Sequence, residues 1–209
     1  DFGVVGNETV TFDAEGRAYG MEVLLQQRLF KGYYGLLAYT LVRSEYQNPG
    51  EDLALQSWVP SSWDNQHIVS FTGGKKWDSG WEVGARVLFS GGLPFTPYAL
   101  DQSLLIENWE TFNAPIPDYA ALNAERNGAF HQVDERIDRK WFFDNWSLDG
   151  FADLQNITAA APPQPDQLDV IRDPATGRPI PSASNPGFYD PRFISTATGA
   201  VLPGLGMIV

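Results

Sequence analysis

This sequence predicts an all-β, antiparallel fold of the transmembrane β-barrel type, and three observations predict it. Apolar and polar side chains alternate with period two along several stretches, the longest of about twelve residues. Glycine and proline number 20 and 15 in 209 residues, which suits turns and loops better than helices. The connections between the alternating stretches sort into short and long in regular turn, the pattern of an outer-membrane barrel with short periplasmic turns and long extracellular loops.

Residues 1–16 (DFGVVGNETVTFDAEG) are polar and read as loop. The first strand opens at Arg17, with Tyr19, Met21, Val23, Leu25 and Leu29 on one face and Glu22, Leu24, Gln26 and Arg28 on the other. That length is unusual in a globular sandwich and ordinary for a strand crossing a bilayer at a tilt. Lys31-Gly32 is a short turn. Residues 33–45 (YYGLLAYTLVRSE) form a second strand, apolar on both faces at its start, so its register stays open. Residues 47–62 (QNPGEDLALQSWVPSS) are a long connection. The third strand covers 63–73, with His67, Val69 and Phe71 facing away from Ile68, Ser70 and Thr72; residues 74–80 (GKKWDSG) turn back. The fourth alternates most cleanly, Trp81, Val83, Ala85, Val87 and Phe89 against Glu82, Gly84, Arg86, Leu88 and Ser90.

A long loop is expected over 91–128. A hairpin follows within 134–156, broken at Asp144-Asn145. Its first arm sets Val133, Ile137 and Trp141 against Asp134, Arg136, Asp138 and Lys140. Its second sets Trp146, Leu148, Ala152 and Leu154 against Ser147, Asp149, Asp153 and Gln155. The next stretch, 158–200, is proline-rich, and its PP, PATGRPIP and NPGFYDPRF segments are not expected to enter a regular ladder. Residues 201–209 (VLPGLGMIV) turn apolar again as a seventh strand. Short turns on the periplasmic side then place the C-terminus in the periplasm. Seven strands do not close a bacterial barrel, which takes an even number, and the chain opens Asp1-Phe2-Gly3 without Met. Both features read as a processed product or a part of a longer chain.

Composition narrows the function. A net charge of −12 argues against nucleic acid, whose phosphates need a basic surface. Cysteine is absent, which excludes disulfides and thiolate metal sites, and the two histidines, His67 and His131, lie far apart. No metal site, cofactor or catalytic residue is expected. Asp64, His67, Asp134 and Glu135 could be drawn together on paper, but each sits in an alternation that already accounts for it, and no hydrolase, zinc-protease or P-loop motif occurs. The acids Asp101, Glu107, Glu110, Asp118, Asp166, Asp169 and Asp173 lack a calcium-loop spacing and read as a solvated surface.

Tyr19, Tyr33, Tyr34, Trp77, Trp81, Trp141 and Trp146 fall near strand ends, where a membrane barrel carries its aromatic girdle. Glu135 breaks the apolar face of its strand. In a membrane it belongs near an interface or beside Arg139. The Asp/Arg/Lys ladder of 134–140, with Asp149 and Asp153, offers cross-strand pairs on a wall facing water.

Taken in order, GRAYGMEVLLQQRLFKGYYGLLAYTLVRSEYQ, WDNQHIVSFTGGKKW, WEVGARVLFSGGLPFTPY, VDERIDRKWFF, WSLDGFADLQNIT and the terminal LPGLGMIV resemble the C-terminal barrel portion of TonB-dependent outer-membrane receptors of the Bacteroidota type. The resemblance implies a 22-stranded barrel of which residues 1–209 supply about seven strands, the plug and the N-terminal strands lying outside this chain. It implies energised nutrient uptake. The implied partners are the remaining barrel and plug, the TonB complex acting through that plug, and outer-membrane lipid and lipopolysaccharide, with a surface-exposed SusD-like lipoprotein left open as a cap. On this reading substrate meets the loop aromatics Phe95, Tyr98, Trp109, Phe112 and Tyr119 and the lumen residues Arg86 and Arg136. A small self-contained outer-membrane barrel (adhesin or porin) and a secreted carbohydrate-binding β-sandwich are the alternatives.

Overall fold

The computed structural model describes residues 14–47, 57–195 and 205–206. In chain order its strands are β1 (Glu15–Phe30), β2 (Tyr33–Gln47), β3 (Val59–Pro60), β4 (His67–Lys76), β5 (Trp81–Ser90), β6 (Pro94–Phe95), β7 (Glu125–Arg126), β8 (Phe130–Phe142), β9 (Ser147–Leu154), β10 (Gln167–Val170), β11 (Pro191–Ile194) and β12 (Leu205–Gly206). Two short helices, α1 (Leu100–Ser103) and α2 (Ile106–Phe112), lie between β6 and β7. The fold is all-β and antiparallel. One sheet dominates, in the order β1-β2-β4-β5-β8-β9-β12, with β3 added beside β2. Among the described residues it is an open sheet: β1 and β12 are its two edges.

Three tight turns join the long strands at one end. At Lys31-Gly32 both residues have positive φ (50° and 82°), the backbone of a type I′ hairpin turn. A side chain at Gly32 would also strike the Lys76 carbonyl. Trp77 to Gly80 closes the second turn, Trp77 N–H donating to the Trp81 carbonyl at 2.8 Å. The third is centred on Asp144-Asn145 as expected, with Phe143 N–H on the Trp146 carbonyl at 2.9 Å and the two rings stacked at 4.0 Å.

Register fixes the faces, because directly paired residues share one side of a sheet. Leu25, Leu37, Phe71, Val87 and Val133 form one lateral row through successive pairings. The adjoining row is Val23, Tyr39, Val69, Phe89 and His131. This face is largely apolar, with His131 at the end of the second row and Gln27 and Glu135 in the row on the other side of the first. The opposite face carries Thr40, Ser70, Thr72, Arg86, Asp134, Arg136 and Asp138, and on β9 Asp149 and Asp153. The hairpin of β8 and β9 pairs as its alternation predicts, with Ile137 opposite Ala152 and Arg136 opposite Asp153.

Several sequence expectations need correction. β1 starts at Glu15 and β4 starts at His67, because residues 61–66 are held in hydrogen bonds of their own; β4 then continues through Lys76, shortening the turn after it. An irregularity between Gln27 and Phe30 pairs Phe30 with Tyr33. Leu29 therefore leaves the face of Tyr19 and lines a hollow beside Glu82 and Arg136. The long loops contain regular structure: α1, α2, the β6–β7 ladder, and a β10–β11 ladder in which Val170 pairs with Pro191. Pro191 is tolerated because it opens its strand. Of the seventh strand, Leu205–Gly206 pairs with β9, and its remaining residues lie outside the described ones. So do residues 1–13 and the 48–56 part of the second connection.

Candidate functional site

At the short-turn end the apolar face is ringed by aromatics. Tyr33, Trp77, Trp81, Trp141 and Trp146 are all substantially exposed. Lys75 Nζ stands 3.9 Å over the Tyr33 ring, and the Arg139 guanidinium lies 5.1 Å from Trp81 and 5.7 Å from Trp141. Tyr19 lies at the opposite end, near the Arg17 guanidinium. Tyr34 departs from the expected ring. It projects from the polar face, passes beside Gly74 and Gly84, and donates to Glu82 Oε1 at 2.7 Å. A Cβ on Gly74 would stand 2.7 Å from the Tyr34 hydroxyl, so the two glycines make the channel that lets the phenol lie down. Glu135 stays on the apolar face, exposed, in a row with Gly35, Gly73 and Ala85. It gains no ion pair with Arg139, which donates instead to the Ser79 carbonyl.

The polar face is a lattice of ion pairs. Arg136 clasps Asp138 at 2.8 Å and its guanidinium stacks 3.9 Å over Phe151. Lys140 meets Asp149 at 2.9 Å and Lys76 meets Glu82 at 3.6 Å. A hollow of about 730 Å³ opens above these groups near the short turns. A second, of about 230 Å³, is lined by Tyr34, Arg86, Asp134, Arg136 and Asp153. Arg86 and Arg136 thus meet at one hollow on the face where the sequence placed them.

At the other end the long loops interlock into one cap. Asp64 is wholly buried; it accepts Ser44 N–H at 2.8 Å and the Arg126 guanidinium, with Arg43 at 3.7 Å. Asn123 donates to the Pro60 carbonyl at 2.8 Å, adding a second tie between the same two loops. Trp109 packs with Val170 and Tyr189 in the only apolar cluster of buried residues among the described ones, so the third loop is bound to the second. Leu104 and Ile106, from the turns of α1 and α2, complete it.

Trp109, expected among the substrate contacts, is instead 3 % exposed and packed in the core of the cap. Its indole N–H finds no acceptor among the described residues. Trp109→Ala is expected to cost about 3–5 kcal/mol of cap stability, and Trp109→Phe about 1–2 kcal/mol, from lost packing volume alone since no hydrogen bond goes with it. Thermal melts of the two variants check this. Phe112 and Tyr119 are exposed on the cap, apart from any described hollow. Phe95 and Tyr98 do come together, lining a hollow with Phe193 from the other loop. Sequence reasoning missed Asp64, Arg126 and Phe193. Asp64 had appeared only as a paper partner of His67, whereas His67 bonds Tyr39 at 3.0 Å on the apolar face. No cluster of three or more His, Asp or Glu able to hold a metal forms among the described residues. No described helix is long and apolar enough to cross a membrane.

Asp169 was expected to be solvated. It is instead mostly buried between Arg172 at 3.1 Å and Arg192 at 2.8 Å. Burial pushes its carboxyl up, but Arg172, the Val170 amide and Arg192 together outweigh this and hold it below the ordinary value of 3.8. A depressed carboxyl stabilises the fold above its unfolded value and stops doing so as pH falls through the folded one. The β10–β11 ladder is thus expected to lose amide protection on acidification below 3.8, read by hydrogen exchange corrected for intrinsic rates. Asp169→Asn removes that pH dependence. Nearby, burial and then the Glu110 charge push the Tyr189 phenol up, keeping it neutral as a donor to Glu110. No protein-family model matches the chain, and no curated protein matches it.

Proposed function

We propose that this chain forms part of the wall and the extracellular loops of an outer-membrane TonB-dependent receptor that takes up a nutrient. The observation that carries this reading is one sheet with two opposed surfaces: an uncovered apolar face with aromatics and cations at its short-turn end, and a reverse face of paired charges. On β2, the ten residue steps from Tyr33 to Arg43 rise about 3.3 Å each. Inclined at roughly 40° they span about 25 Å, the height of the apolar band in such barrels. A soluble sandwich needs a second sheet over the apolar face, and the other described ladders, β6–β7 and β10–β11, belong to the cap.

In this reading the apolar face meets lipid, the charged face lines the lumen, and the cap looks outward. The strands that close a 22-stranded barrel and the plug come from outside the described sheet. TonB acts on that plug from the periplasm. A SusD-like lipoprotein has the cap as its landing surface. The residues of this chain capture and contain; they carry no chemistry.

The test is to tag the chain in its native cells and purify it from detergent-extracted outer membrane. Copurification with polypeptide supplying a plug, and heat-modifiable gel migration, are the expected results. Recovery as a freely soluble monomer would overturn the reading.

A further inference from the structure

We propose that the hollow between the two longest loops binds an organic cation. It measures about 350 Å³, the size of a small-ligand site, and is formed by Phe95, Tyr98 and Leu100 of one loop, Phe193 of the other, and the acids Glu125 and Asp166. It rests on the reading of these loops as the capturing surface, and adds the chemistry of what they take.

Three features converge on a positive ligand. Three aromatic residues, Phe95, Tyr98 and Phe193, line one space, and an aromatic ring attracts a cation through its quadrupole. Both carboxylates lining the hollow stand without an ion pair among the described residues, while no Lys or Arg lines it. The arginines next in sequence to its walls are committed elsewhere. Arg126, beside Glu125, is drawn onto Asp64 and the Gly92 carbonyl; Arg192, beside Phe193, is drawn onto Asp169 at 2.8 Å. The same ion pairs that fasten the cap thus strip the hollow of its natural counter-charges. An anion would meet two carboxylates there, and a neutral apolar molecule would leave them unused. An amine or quaternary ammonium head satisfies both the rings and the acids.

The site joins residues about a hundred positions apart, so each part alone looks ordinary. Phe95 is held by the two-residue ladder of β6 with β7, which sets Glu125 directly across from it. Phe193 sits in β11, paired with Leu168, which is buried. The walls are therefore anchored in hydrogen-bonded strands rather than in free loop, although Phe193 itself remains 53 % exposed and open to a ligand.

Three probes of one shape and different charge test the proposal on the protein as purified from its native cells together with whatever copurifies: choline, 3,3-dimethylbutan-1-ol and 3,3-dimethylbutanoate, titrated by calorimetry or saturation-transfer NMR. Choline is expected to bind on the order of tenfold more tightly than the neutral alcohol, and the carboxylate not at all. Glu125→Gln with Asp166→Asn should abolish the preference for charge while leaving the alcohol's binding intact. Equal binding of choline and the alcohol, or no binding of choline, overturns the proposal. Because discrimination is read in the unaltered protein, misfolding of a variant cannot rescue it. Membrane residence is scored separately. An outer-membrane chain blind to charge sinks the cation site alone; a soluble chain that selects choline sinks the receptor reading and leaves the site standing.

Discussion

On the membrane reading, Val133→Arg is expected to destabilise the protein in a bilayer by about 2–4 kcal/mol, the cost of a guanidinium at the hydrophobic midplane of a barrel. Val133 lies in the central row with Phe71 and Val87, midway between the aromatic ring at the turns and the Arg17–Tyr19 end. Its sequence neighbour Gln132 faces the other way and already bonds Asp134 at 2.8 Å. An arginine there finds the same carboxylate, so Gln132→Arg should change stability by under about 1 kcal/mol. Depth gives the sharper discrimination. Leu148 shares the apolar face but pairs with Trp141 near the turns, and Leu148→Arg should cost only about 0–1 kcal/mol. Urea unfolding of the protein reconstituted in lipid vesicles, with whatever copurifies with it, measures all three. A soluble core penalises Val133 and Leu148 by burial, whereas a bilayer penalises them by height. Equal costs at the two positions would count against the membrane reading.

Asp64→Ala is expected to loosen the cap by about 3 kcal/mol, the lower end of the range for removing one partner of a buried pair, because Arg126 retains some contact with water. The alanine leaves the Ser44 amide and the Arg126 guanidinium without their carboxylate, and Arg43 loses a second neighbour. Asp64→Asn keeps an acceptor for Ser44 and should cost less. Hydrogen exchange should then rise in residues 57–66 and in the β6–β7 ladder together, since Asp64 and Arg126 tie these segments to each other. The β5–β8 pairing should stay protected. Uniform exchange across sheet and cap in Asp64→Ala would show instead that the two unfold as one body.

How far the sequence could be read depended on the distance over which each feature is encoded. Alternation is local, so the faces of β4, β5, β8 and β9 were legible, and of the cross-strand charge pairs the ladder offered, Lys140–Asp149 forms while Arg136 turns to Asp138 on its own strand. The type I′ turn was legible at Lys31-Gly32 because glycine marks it. The irregularity before Phe30 was not, since Leu29 and Phe30 are both apolar and either could take the apolar face. The cap was opaque for a related reason. α2 is too short to show a helical period, so Trp109 looked like one more loop aromatic, and its burial depends on Val170 and Tyr189 far along the chain. Proline suggested that 158–200 avoids ladders, yet Pro191 opens one. The Phe95–Phe193 hollow is likewise a product of tertiary closure.

On the receptor reading, the border of β1 that faces no described strand has a consequence for how the sheet enters lipid. Sixteen residues long, this strand turns the N–H and C=O of every second residue, about eight of each, away from β2 toward no described partner. In hydrocarbon each unsatisfied backbone group costs several kcal/mol. On the receptor reading, that total far exceeds the stability of a folded domain, so the sheet has no stepwise route into lipid. Within that reading, pairing along this border has to accompany entry into lipid, and whatever strand pairs with β1 acts as the gatekeeper of insertion.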